Sequence, residues 1–88
     1  MASHEETLAG LQQGNDRCGT LHGIMQNASQ TAAELRNGLQ SSLGNTEAYG
    51  SVAGPCEAVI TQLSAAAQAV AQTSQVIEQL MARFQGGV

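Results

Sequence analysis

The sequence predicts an all-α fold: an antiparallel two-helix hairpin that completes a four-helix bundle as a dimer. Three observations predict it. Apolar residues recur at steps of three and four along both halves of the 88-residue chain, the period of one helix face. Between the halves, Ser42–Glu57 reads SLGNTEAYGSVAGPCE, with three of the ten glycines, the only proline and the only tyrosine. The chain also lacks bulk. It is 42% hydrophobic, but much of that is alanine, and Tyr49 and Phe84 are its only aromatics apart from histidine. Large side chains stabilise a core by roughly 1.5–3 kcal/mol each, and a small domain without them is marginal alone.

The first helix is predicted over about residues 5–43. Leu8, Leu11, Cys18, Leu21, Met25, Ala28, Ala32, Leu35, Leu39 and Leu43 form one stripe, with Asn15 filling its one gap. Ser3 and Thr7 are candidate N-caps. Gly10/Gly14 and Gly19/Gly23 are each four apart, a spacing that lets backbones approach on one side of a helix.

A turn is expected within about 44–54. Gly44-Asn45 is the strongest break. Thr46-Glu47-Ala48-Tyr49 offers an early helical restart, which would leave Gly50–Pro55 as a weakened section of the second helix. Asn37-Gly38 is an alternative turn signal, but Leu35, Leu39 and Leu43 continue the stripe across it.

The second helix is predicted over about 55–85, with Pro55 and Glu57 in its first turn. Cys56, Val59, Leu63, Ala66, Val70, Thr73, Ile77, Leu80 and Phe84 form its stripe, and Ile60, Ala67, Ser74 and Met81 widen it. Gly86 and Gly87 are expected to end it. Two helices cannot cover both stripes, so a partner hairpin is expected against Ile60, Leu63, Ala67, Val70, Ile77, Met81, Leu35 and Leu39. The surface left uncovered by one hairpin is expected along Ile60, Ala67 and Met81.

Charge narrows the function. Seven acids face three arginines and no lysine, for a net charge of −4, so the clustered cations of a nucleic-acid site are missing. No apolar run approaches the roughly 20 residues of a membrane span. MASHEET lacks the basic and apolar regions of a cleavable signal, so the expectation is a protein that is cytoplasmic before export or is secreted without such a signal.

Candidate chemistry is sparse. Asp16, Cys18 and His22 lie within seven residues, and Cys18 and His22 share a helix face. Zinc wants at least three protein ligands, and Cys56 would be the third. The favoured reading makes Cys18 a small core residue and His22 a polar flank, with no metal, cofactor or catalytic residue. Cys56 near a helix N-terminus would have a more reactive thiol, but its place on the stripe argues for burial. With the turn near 45, residues equidistant from it face each other. Cys18 then lies opposite about 72 and Cys56 opposite about 34, some 24 Å apart and out of disulfide reach. A turn at Asn37-Gly38 would instead bring the two cysteines together. No enzyme is expected.

These features resemble a family. Paired helices, a central glycine turn at Leu43-Gly44-Asn45 and Glu47-Ala48-Tyr49 just after it are similar to the WXG-type (ESX) proteins, helical-hairpin substrates of type VII secretion systems. Thr61–Met81 (TQLSAAAQAVAQTSQVIEQLM) matches their second helix in texture, and Leu8-Ala9-Gly10-Leu11 their first apolar turn. Leu43 stands near the position of the family's tryptophan. The family's export motif, Tyr-x-x-x-Asp/Glu, is absent, since Ala53 is fourth after Tyr49 and the tail has no tyrosine. The resemblance implies a homodimer or heterodimer in which this chain is the partner without the signal, working with secretion machinery. The competing expectations are a filament, needle or phage-assembly hairpin, and an intracellular adaptor or chaperone that binds a partner helix.

Overall fold

The computed structural model describes residues 3–86 and forms a helical hairpin. Helix α1 spans His4–Leu43 and helix α2 spans Glu47–Gly86, 40 residues each. Gly87, expected to share the helix end, lies outside the described residues. The rod measures 63 × 20 × 14 Å, one helix long and two wide.

Both starts are capped. The Ser3 hydroxyl accepts from the Glu6 backbone N–H at 3.1 Å, satisfying one of the donors that a helix start leaves free. Glu5 and Glu6 place negative charge in that first turn, where the helix dipole favours it. The Thr46 hydroxyl does the same for α2, accepting from the Tyr49 N–H at 3.3 Å.

Only Gly44, Asn45 and Thr46 separate the helices. Gly44 has φ 62° and ψ −139°, a backbone region nearly closed to residues with a Cβ. Its N–H donates to the Gln40 carbonyl at 2.8 Å, which closes α1.

The turn is shorter than 44–54, and α2 begins at Glu47 instead of 55. Tyr49 is therefore helical, and Pro55 lies inside α2. Proline in a helix interior costs about 3 kcal/mol. The early start offsets this by placing Tyr49, Val52, Ala53 and Cys56 against α1, all half-buried. The helix α1 runs unbroken through Asn37-Gly38, so the alternative turn does not form.

The seam has a strict heptad spacing. In α1 it follows Leu8, Leu11, Asn15, Cys18, His22, Met25, Ser29, Ala32, Arg36, Leu39 and Leu43; in α2, Ala53, Cys56, Ile60, Leu63, Ala67, Val70, Ser74, Ile77 and Met81. Each of these is half-buried or buried. This corrects the predicted stripe. His22 and Arg36 turn inward, while their neighbours Leu21 and Leu35 are 43% and 57% exposed. The cause is periodicity: a seam repeating every 3.5 residues selects one of two adjacent lines. The same choice puts Ile60, Ala67 and Met81 in the seam and leaves Val59 48% exposed beside it.

Facing residues confirm a turn centred near 45. Ser74 Oγ donates to Asn15 Oδ1 across the seam, and the rings of His4 and Phe84 meet with centroids 5.5 Å apart. Arg36 pairs with Glu57 at 2.8 Å. With Glu57 56% exposed, that pair contributes less than about 1 kcal/mol.

The glycine spacing does not serve close packing within the hairpin. A Cβ at Gly10, Gly19 or Gly23 would meet nothing within 4 Å, and one at Gly14 would touch only Ile77 Cδ1, at 3.6 Å.

Candidate interaction surface

The seam is narrow, and its composition explains why. Every first-heptad position of α1 between Leu8 and Leu43 is polar: Asn15, His22, Ser29 and Arg36. In the register set by Asn15 and Ser74, small residues oppose three of them, at Ala53, Ala67 and Ser74, and Ile60 opposes Ser29. Among the described residues only Cys18 and Ala32 are buried, each 8% exposed. Asn15 and Ser74 satisfy each other in the seam, and such a polar pair fixes register at some loss of stability.

Two different long faces flank the seam. One is apolar. Leu21, Ala28 and Leu35 stand seven apart along α1, and Val52, Val59, Ala66, Thr73 and Leu80 along α2. Ile24 and Val76 lie one step farther out, 55% and 54% exposed. In an antiparallel pair the residues just before the first heptad position meet on the same side, so both lines belong to one face. An open groove of about 300 Å³ bears this out, because Leu35, Leu39, Val52, Pro55, Cys56 and Val59 line it together.

The other face is polar or small. Gln12, Gly19, Gln26, Ala33 and Gln40 run along α1, and Glu57, Ser64, Ala71 and Glu78 along α2. Its groove, lined by Cys18, Gly19, His22, Val70, Ala71 and Ser74, is shallow and brings only one thiol and one imidazole together. Asp16 is exposed on this side of α1. Among the described residues no three metal-ligating side chains gather.

The expected interface residues divide between these surfaces. Ile60, Leu63, Ala67, Val70, Ile77, Met81 and Leu39 are half-buried within the hairpin's own seam. Leu35 lies on the open apolar face. Reasoning from sequence missed Leu21, Ile24, Val59 and Val76 as members of that face. The signal that would have found them is the second three-four line on each helix, offset by one residue from the seam. Cys56 is the tenth residue of α2, far from the helix N-terminus on which the reactive-thiol reading depended. Both cysteines are free, as the register near 45 requires. Of the expected turn residues, Gly44 and Asn45 lie in the loop, Leu43 ends α1 and Tyr49 is in the first turn of α2.

No helix among the described residues is long and apolar enough to cross a membrane. The chain matches no family model, no curated protein and no solved structure.

Proposed function

We propose that the chain is a non-enzymatic interaction hairpin of the type VII secretion kind, exported or retained through pairing with a second hairpin. The observation that carries this reading is the near-absence of a core beside a continuous exposed apolar face. A hairpin so built gains by association what it lacks alone. The tight Gly44 turn that follows Leu43, with Glu47-Ala48-Tyr49 just after it, supports the family assignment.

The test has two parts. Sedimentation equilibrium of the purified chain, alone and mixed with a candidate sister hairpin, should report a defined dimer. Secretion into the culture medium should then require both the sister and a membrane FtsK-like ATPase. Association without ATPase-dependent export would leave an intracellular adaptor as the function. Fibres in negative-stain electron micrographs would identify an assembly subunit instead.

A further inference from the structure

We infer that Asn37-Gly38 is a latent deamidation site, shielded while α1 is helical and converted to aspartate or isoaspartate when that helix opens, with Arg36 carrying the change to α2. Neither the turn nor the apolar face uses this dipeptide, so the site does not depend on any pairing of hairpins.

The chemistry follows from the dipeptide. The Gly38 backbone nitrogen attacks Asn37 Cγ. A C–N bond forms, and the side-chain amide leaves as ammonia, taking up the proton that the attacking nitrogen loses. Water then opens the cyclic imide at either carbonyl. One opening gives an aspartate in the ordinary chain, the other an isoaspartate whose backbone runs through the side-chain carbon. Glycine lacks the Cβ that would crowd the attack. Of Asn15, Asn27, Asn37 and Asn45, only Asn37 precedes a glycine.

The helix holds this reactive sequence in check. Because α1 runs unbroken from His4 to Leu43, the Gly38 nitrogen is engaged in the helical hydrogen-bond ladder and held out of line with Asn37 Cγ. Nothing else covers the site. Asn37 and Gly38 are both exposed, and a Cβ at Gly38 would meet nothing within 4 Å, so water reaches it freely. Glycine also weakens the helix there. The rate of conversion is then set by how often α1 opens locally.

Arg36 couples the site to the second helix. Its Nη1 donates to Glu57 Oε1 at 2.8 Å, while its Nε and Nη2 both donate to Asn37 Oδ1 at 3.4 Å. Deamidation puts a carboxylate where that amide oxygen now stands, on the edge of the guanidinium suited to bidentate pairing. One cation then serves two carboxylates, and its hold on Glu57 weakens. The isoaspartate product does more. Its additional backbone carbon shifts the phase of the helix between Arg36 and Leu39, which are consecutive seam positions.

The experiment incubates the full chain at neutral pH, native and in urea that unfolds it, and follows peptides containing residue 37 by mass spectrometry with an isoaspartate assay. Conversion in urea should outpace that of the native chain by at least about tenfold, reflecting the closed helix. Gly38→Ala should nearly abolish conversion in urea. Leu39→Ala loosens the seam beside the site; it should speed native conversion several-fold and leave the urea rate unchanged. Asn37→Asp, with circular dichroism as the folding control, isolates the role of Arg36. Glu57→Gln should lower the urea midpoint of the parent chain and leave that of Asn37→Asp unchanged.

No conversion in urea, or conversion indifferent to Gly38→Ala, overturns the site. Equal rates in the native and unfolded chains, or a native rate indifferent to Leu39→Ala, overturn the shield. An equal effect of Glu57→Gln in both backgrounds overturns the coupling through Arg36.

Discussion

Gly44 is the residue on which the hairpin turns. Its positive φ ends α1 and aims the chain back, and open space surrounds the position where a Cβ would stand. Gly44→Ala therefore tests backbone strain alone, with no clash. It should destabilise by about 1–3 kcal/mol, read as a lower urea midpoint with an unchanged denaturant slope. Ile77 gives the packing counterpart. It is half-buried, and its Cδ1 would stand 3.6 Å from a Cβ added at Gly14. Ile77→Ala should cost about 2 kcal/mol, the lower end of the range for buried aliphatics, because part of that side chain already meets water. Thermal melts of the variant at fixed concentration measure it.

At the scale of elements the two helices are not equally robust along their lengths. The first ten residues of α2 hold Gly50, Gly54 and Pro55, and Pro55 leaves the Ser51 carbonyl without its helical donor. Ser51 Oγ donates to the Glu47 carbonyl at 3.2 Å, which does not replace that bond. Amides of Glu47–Gly54 should exchange with solvent faster than those of Leu63–Ile77. Pro55→Ala should slow that exchange and stabilise the hairpin by up to about 3 kcal/mol. The sequence made both helices readable, together with the Gly44 turn and the facing of residues equidistant from 45. It also separated the cysteines correctly. It did not resolve which of two adjacent lines forms the seam. Leu21 and Leu35 are more apolar than His22 and Arg36, so hydropathy chose the wrong line, and only the partner helix decides the phase. The apolar face was hidden for the same reason, since Leu21, Ala28, Leu35, Val59, Ala66, Thr73 and Leu80 were counted as seam and Ile24, Val52 and Val76 were not counted at all.

The whole molecule is a rod without a centre. Its Cα radius of gyration is 19.5 Å, against about 12 Å for a compact domain of this length. Folding and association should therefore share one transition. Heat melts between micromolar and millimolar concentration should shift upward in midpoint as concentration rises; a constant midpoint with a folded 9.0 kDa species would show that the exposed face is tolerated.

The meeting of the His4 and Phe84 rings has a separate consequence. It brings the start of α1 and the end of α2 to the same end of the rod, about one helix diameter apart. The order in which the chain visits the two helices is then arbitrary. A circular permutant opened between Asn45 and Thr46, with a short Gly/Ser linker from Gly86 to Ser3, would trace the same pair of helices from the opposite end. Such rearrangements succeed at exposed loops whose backbone is little hydrogen-bonded, and Asn45 is exposed. The permutant should keep the helical circular dichroism signal of the parent. It should lose only the rigidity that Gly44 now gives the turn, so connectivity and shape become separable properties of this protein.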